Sequence, residues 1–503
     1  MLGVLHGVQG CTLIFGRGTA DAVSIVQGTA PSDVRRDTTD TPFAASLDRV
    51  SWRGREGPAS SGRAFWTDVG VLDIASAEQD AVGLDERTFA TALRHLMASD
   101  PQGAAIAFHA LQKTASDTLV RTRARDGLTM ALRWYSDWAT IAGLQPDSAV
   151  SPLTGTRPDH GAVERWARTF ALINPPAVSF SDASIVLPLR RSRIGTPIVR
   201  VLVNGRAHEF WLDTGASMTV LGSDVAVAAG VRFAANDTLA LGVVGGSIDA
   251  RAGLIDSVSL GGFTARGVAA AIVDTRTLRL DYRLENGQDV AVPIDGVIGV
   301  DLLRWMDVTI DVRAGTISIA RPRHDAGIMR NLFWVGFPVV RLITRDGQPL
   351  VFGLDTGAQE TYVTLGLLRK LPRTHVALRR GELGGLGGRE AHTEWVATDL
   401  EVSDGTYAIK LHNAPIGPDR PSSFVNFDGM IGSDVALNTR LHLDFENGVF
   451  DVRPSAAANP LRRGAGSGTQ PSGPSLLQTL WPANPQSSGK HSINRRVQDA
   501  ISP

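Results

Sequence analysis

The feature that most limits how this chain can fold is an internal duplication. The first copy reads Val203-Asn-Gly-Arg-Ala-His-Glu-Phe-Trp-Leu-Asp213-Thr-Gly-Ala-Ser217. The second reads Arg345-Asp-Gly-Gln-Pro-Leu-Val-Phe-Gly-Leu-Asp355-Thr-Gly-Ala-Gln359, offset by 355 − 213 = 142 residues. Each copy is a turn, an apolar strand and then Leu-Asp-Thr-Gly-Ala. A glycine-rich stretch follows in each, Gly242-Val-Val-Gly-Gly246 and Gly384-Gly-Leu-Gly-Gly388. Next comes a second signature, Asp295-Gly-Val-Ile-Gly299-Val-Asp301 and Asp428-Gly-Met-Ile-Gly432-Ser-Asp434. Each copy closes with a predicted hairpin, Val308 to Ile319 and Leu441 to Val452. The order is the same in both, so the sequence predicts two similar β units on one chain. Short Val- and Ile-rich runs, separated by Asn204-Gly205, Gly261-Gly262, Asp346-Gly347 and Asn447-Gly448, carry the β reading.

Other Asp-Thr pairs occur in the chain, but none is followed by Gly. One Asp-Thr-Gly would be a weak signal, because Asp and Gly populate turns anyway. Two, each ending an apolar strand and each followed by the same later motifs, are a strong signal of a duplicated unit, and they raise the question of what two such aspartates could do if brought together. Two carboxylates brought close cannot both ionise, so such a pair shares a proton and can act as base and acid at once. Asp301 and Asp434 are also repeated, and their place after each Ile-Gly predicts N-caps of short helices.

These motifs resemble a half of the retropepsin-like and pepsin-like aspartic proteases, including bacterial tandem forms, and the likeness covers residues 184–454. The resemblance implies a mainly β, bilobal acid-protease fold, with lobe 1 at 184–322 and lobe 2 at 327–454. It implies catalytic residues Asp213 and Asp355. Around them it implies support from Thr214, Gly215, Ala216, Thr356, Gly357, Ala358, Ile298, Gly299, Ile431 and Gly432, with the threonines bonding across between the two loops. It implies flaps touching substrate at Gly245, Gly246, Ser247, Gly387, Gly388 and Arg389. The expected activity is that of an endopeptidase using a water and no cofactor or metal, on a polypeptide substrate. The alternative is a silent peptide-binding or assembly module on the same fold; the presence of both aspartates and both threonines argues against it.

The rest of the chain reads differently. Residues 1–75 are expected to be an irregular or targeting segment. A helical accessory domain is expected over 76–172. Phe89, Leu93, Leu96 and Met97 recur at helical spacing, Asp100-Pro101 reads as an N-cap with Pro in the first turn, and further runs hold Ala104, Phe108 and Leu111, then Leu119, Leu128, Leu132 and Trp138. A protein partner could dock on that domain. Residues 455–503 are Gly-, Ser- and Pro-rich and are expected to be disordered; Gly464-Ala-Gly-Ser-Gly468 there imitates a phosphate loop with no strand before it.

Composition excludes several classes. Net charge is −1, so no global field favours nucleic acid or an anionic membrane. The single cysteine, Cys11, rules out an internal disulfide and a cysteine-based zinc site, and the 11 histidines include no His-Glu-x-x-His. Val8-Gln-Gly-Cys11 loosely resembles a bacterial lipoprotein cleavage site, but Gln9 fits poorly and the leader is short; an ordinary N-terminal segment is the plainer reading. Membrane attachment is expected only if Cys11 is lipidated. The expected location is the bacterial cell envelope or periplasm, with the cytoplasm left open.

Overall fold

Each Leu-Asp-Thr-Gly segment ends a strand buried on both faces, and the chain folds around these two strands. A computed structural model describes residues 46–49, 65–144 and 161–455, apart from gaps at 182–183, 192–196, 235–237, 244–245, 284–288, 326–328, 359, 372–373, 386–387, 418–423 and 438. The expectation for 455–503, and with it the phosphate-loop mimic, therefore falls almost wholly outside the described residues, as does Cys11.

In the first lobe, Pro197–Val203 and Arg206–Leu212 form a hairpin. Its turn has positive φ at both Asn204 and Gly205, which a two-residue hairpin of right-handed twist requires. Leu212 lies parallel to Ile298 of the strand Gly296–Ile298, which runs antiparallel to Val220–Gly222. The second lobe repeats this unit: Leu354 of Pro349–Leu354 lies parallel to Ile431 of Gly429–Ile431, which runs antiparallel to Tyr362–Thr364. Phe210, Leu212, Ile298, Phe352, Leu354 and Ile431 are all buried, as their apolar pattern predicts.

The two predicted closing hairpins are present as Asp307–Asp311 with Thr316–Ala320 and Thr439–Asp444 with Val449–Pro454. They also pair with each other, Asp307 opposite Asp444 through Asp311 opposite Arg440. With Ser184–Pro188 on the outer edge of the first hairpin, this makes a five-stranded sheet built from both lobes. His442 Nε2 lies 2.7 Å from Asp307 Oδ1 across the junction.

Seven helices are described ahead of the lobes: α1 Phe65–Gly70, α2 Ile74–Asp80, α3 Leu84–Met97, α4 Pro101–Thr114, α5 Thr118–Trp134, α6 Trp138–Gly143 and α7 Gly161–Phe170. Asp100 caps α4 by accepting from Gly103 N at 2.9 Å, with Pro101 in the first turn, as the sequence predicts. Asp117 caps α5 in the same way. The helices begin at Phe65, inside the stretch expected to be irregular, and Ser46–Arg49 in that same stretch pairs with Tyr407–Leu411 of the second lobe. These departures have one cause. Short elements whose order comes from tertiary pairing carry too few residues to show a period. Trp138 opens α6 rather than continuing α5.

The helices share their core with both lobes. Phe89 of α3 meets Phe424 edge-on at 5.6 Å, Trp134 of α5 lies 5.1 Å from Trp334, and Trp166 of α7 donates to Ala240 O at 2.9 Å. No helix among the described residues is long and apolar enough to cross a membrane.

Candidate active site

The strands ending at Leu212 and Leu354 deliver Asp213 and Asp355 to loops that meet at the centre of the molecule. Both aspartates and the threonines after them are at most 2% exposed. The strand beside each loop fixes its entry: Asp213 N donates to Ile298 O at 3.0 Å and Asp355 N to Ile431 O at 2.9 Å. The loop exits are fixed the same way, by Val300 N on Ala216 O and Ser433 N on Ala358 O, both at 2.8 Å.

The threonines tie the loops to each other reciprocally. Thr214 N donates to Thr356 Oγ1 at 3.0 Å and Thr356 N to Thr214 Oγ1 at 2.9 Å. Each hydroxyl then donates onward, Thr214 to Leu354 O at 2.9 Å and Thr356 to Leu212 O at 2.8 Å. Four buried bonds thus hold two loops 142 residues apart in a symmetric pair, and losing any one leaves a buried amide or hydroxyl unpaired.

Gly215 and Gly357 have a second reason to be glycine besides the tight turn. A Cβ on Gly215 would stand 2.5 Å from Cγ of Asp355, and one on Gly357 would stand 2.5 Å from Cγ of Asp213. Each carboxyl therefore occupies the space over the other loop's glycine, and any side chain there would drive the two acids apart. Within its own loop each acid accepts from two amides: Asp213 Oδ1 from Gly215 N at 2.8 Å and Ala216 N at 3.2 Å, and Asp355 Oδ1 from Gly357 N and Ala358 N, both at 3.0 Å.

Burial pushes Asp355 well above the usual carboxylate range, and the Asp213 charge and a hydrogen bond to its side chain push it further, against the pull of the Ala358 and Gly357 amides. Taken as a carboxylate, Asp355 Oδ2 is buried with no donor among the described groups. A proton shared with Asp213 removes that deficit. A shared proton is the state toward which burial and the Asp213 charge push Asp355.

All twelve expected dyad and support residues converge here. Gly299 and Gly432 press against the loops they follow: a Cβ would lie 2.7 Å from Ala216 O in the first lobe and 2.7 Å from Glu360 C in the second. The expected flap residues are less complete. Gly246 and Gly388 start the strands Gly246–Leu260 and Gly388–Thr398, each paired antiparallel with the strand before it. Gly245 and Gly387 lie outside the described residues, as do the side chains of Ser247 and Arg389.

Asp301 and Asp434 do not cap helices as expected. The cap positions belong to Gly299 and Gly432, and the acids sit in the first turn. They reach back to the dyad loops instead. Asp434 Oδ1 accepts from Thr361 Oγ1 at 2.7 Å and Oδ2 from Thr361 N at 3.0 Å, while Asp301 Oδ1 accepts from Thr219 Oγ1 at 3.1 Å. The signal was available: a threonine six residues after each dyad aspartate, and an aspartate two residues after each Ile-Gly. The leading acids of the second signature also bond strands, Asp295 to Glu209 N and Asp428 to Val351 N, both at 2.9 Å. Among the described residues no cluster of three or more His, Cys, Asp or Glu could hold a metal.

Residues 199–302 match the family model described as aspartyl protease. No curated relative matches the chain. Among solved structures, the chain is similar to the crystal structure of a retropepsin-like aspartic protease from Rickettsia conorii, at 18% identity and a TM-score of 0.19, over 30% of this chain and 97% of that one. It is also similar to the crystal structure of an aspartic proteinase from Irpex lacteus, at 12% identity and a TM-score of 0.33, over 55% of this chain and 98% of that one.

Proposed function

We propose that the chain is an aspartic endopeptidase with Asp213 and Asp355 as its dyad, since residues 199–302 match the aspartyl protease family model and the same motifs recur in the second lobe. The observation that carries this is the reciprocal seating of each carboxyl over the other loop's glycine, locked by the threonine cross-bonds. A binding module has no need to hold two buried acids against each other, where their repulsion costs stability.

In this reading Asp213 is the ionised partner. It takes a proton from a bound water, whose oxygen attacks the carbonyl carbon of a peptide bond. Asp355 carries the proton at rest and donates it to the carbonyl oxygen as that oxygen becomes anionic. The C–N bond then breaks as the amine nitrogen takes the proton held on Asp213, and one hydroxyl of the tetrahedral diol returns its proton to Asp355, so that a carboxylic acid and an amine leave and the dyad is restored. No covalent intermediate forms. The hairpins bearing Gly245, Gly246, Ser247 and Gly387, Gly388, Arg389 are proposed to fold over the substrate from the two lobes and to exclude bulk water.

Digestion of unfolded casein, with and without pepstatin, tests the proposal. Cleavage that pepstatin blocks is expected. Absence of cleavage across the acidic range, or cleavage blocked by a metal chelator and not by pepstatin, overturns it.

A further inference from the structure

The C-terminal turn of α5 is bonded to both lobes at once. Trp334 Nε1, from the second lobe, donates to Met130 O at 3.0 Å. Arg304, from the first lobe, donates through Nη1 to Arg133 O at 3.3 Å and through Nη2 to Ser136 Oγ at 3.0 Å. The guanidinium also lies 5.5 Å from the Trp134 ring centroid, and that ring lies against Trp334. Carbonyls at a helix C-terminus carry partial negative charge, so a cation and an indole N–H are fitting donors there, even though Arg133 O also accepts from Ser136 N.

Both donors sit close to the dyad along the chain and the sheet. Arg304 follows the short helix Val300–Leu303, whose first amide bonds Ala216 O of the Asp213 loop. Asp301 of that helix holds Thr219 and faces the Arg304 charge. In the second lobe, Leu332–Trp334 pairs with Pro338–Ile343, which pairs with the strand that runs into Asp355; Val339 stands opposite Gly353, two residues before it. Arg304 is only 5% exposed. Burying a guanidinium is costly unless it is well bonded, and the fold does not demand one: the matching residue of the second lobe is Leu437. The arginine is explained by what it grips.

We propose that α5 is a brace for the dyad, with Arg304 as a positioning residue that ties the Asp213 loop to the α5 terminus while Trp334 ties the Asp355 strand to the same turn. The helical region thereby adds a third link between the lobes, beside the shared five-stranded sheet and the threonine cross-bonds. It acts on the chemistry through the angle between the two loops and touches no substrate. This rests on the dyad reading for its effect on catalysis, but not for its effect on loop geometry.

The test uses the full chain with Arg304→Met, Trp334→Phe and the double variant, and Ser136→Ala with Trp334→Phe in case loss of the arginine prevents folding. Amide exchange is followed at Thr214 and Thr356, against Val201 and Leu342 inside the lobes. The brace requires exchange at the two threonine amides to quicken about tenfold or more while the interior amides hold. It also requires kcat per titrated site to fall about tenfold, and the alkaline limb of the pH–kcat profile to move down, because Asp355 owes part of its raised pKa to the nearness of Asp213. A lower Tm with unchanged threonine exchange and an unmoved pH limb overturns the brace. If the wild-type chain cleaves no peptide, the endopeptidase reading fails, and the exchange measurement still decides whether α5 holds the loops.

Discussion

In the first lobe the acid that steadies the dyad loop, Asp301, faces a cation, Arg304. In the second lobe the matching Asp434 has Leu437 at that place, and the charge that acts on it is Glu360, of like sign. Burial raises Asp301 to about 6, with Thr219 and Arg304 pulling down; burial and Glu360 raise Asp434 to about 7 against the bonds from Thr361 and Val435. The leading acids differ too. Asp428 is buried and bonded by Lys370 at 2.7 Å, whereas Asp295 is half-buried with His208 at 3.6 Å. Even the strands carrying the dyad fill space differently: Trp211 stands opposite Val297, while Gly353 stands opposite Met430, whose sulfur fills the place a side chain would take. The groups that touch at the centre are the same in both lobes, and the groups that support them are not. Symmetry persists where one loop must fit the other, and elsewhere each lobe has its own solution.

The largest effect expected concerns the centre. Asp213→Asn and Asp355→Asn should each lower kcat by about 10²-fold to 10⁴-fold or more, because each removes one member of a single acid–base pair; thermal melting checks that both variants fold. Near-full activity in either one would mean the two lobes are not equal partners in one site.

Stoichiometry sharpens the same point. Both loops lie on one chain and bond each other directly, so active-site titration with a tight inhibitor should give one site per chain in a species that light scattering finds monomeric. Activity lost on dilution in step with dimer dissociation would show that equal lobes pair between chains instead.

The pH profile probes the shared proton. Ala216 and Ala358 offer the dyad backbone amides but no hydroxyl, and Asp355 is raised well above 3.8. Activity should therefore persist above about pH 5. A profile that peaks near about pH 2 and is gone by about pH 5 contradicts the shift.

Thr214→Val and Thr356→Val should cost about 1–3 kcal/mol each, since each leaves the opposite amide buried and unpaired. Chemical denaturation measures this. Equal losses support the reciprocal bond; markedly unequal ones mean that one lobe carries the junction.

The smallest effect separates the supports. Asp434 binds its proton more tightly in the fold than unfolded, its value rising from 3.8 to about 7. The native state then holds more protons between those values, so its contribution is full below about pH 4 and is lost as pH rises through about 7. Asp434→Asn should flatten that decline in stability. Asp301→Asn should flatten it less, because the raised range of Asp301 ends at about 6. Denaturation midpoints across the same pH range give the comparison, and equal flattening would remove the distinction between the supports.

What could be seen in the sequence follows from how each feature is encoded. The dyad loops and their strands were legible because local rules write them: apolar strand, turn glycine, repeated order. The pairing of the closing hairpins with each other was not, because Val308 to Asp311 and Leu441 to Asp444 alternate as any half-buried hairpin does. Asp301 and Asp434 look like caps in the sequence because a residue near a helix start suggests one, while their partners lie 82 and 73 residues away. Arg304 carries no local mark at all. Its meaning comes from Arg133 and Ser136, about 170 residues earlier in a different kind of structure.

The sheet shared between the lobes also sets a timetable. Its last strands, Thr439–Asp444 and Val449–Pro454, are among the final described residues to be synthesised. At about 5–20 residues per second, the stretch from Ala320 to Pro454 takes on the order of ten seconds to emerge. Through that interval a nascent first lobe carries one carboxyl of the pair, an unanswered Thr214 and a bare edge along Asp307–Asp311. On the proposed endopeptidase reading, a single growing chain holds no complete dyad until its second lobe has emerged, and the delay is written into the order in which the strands are made.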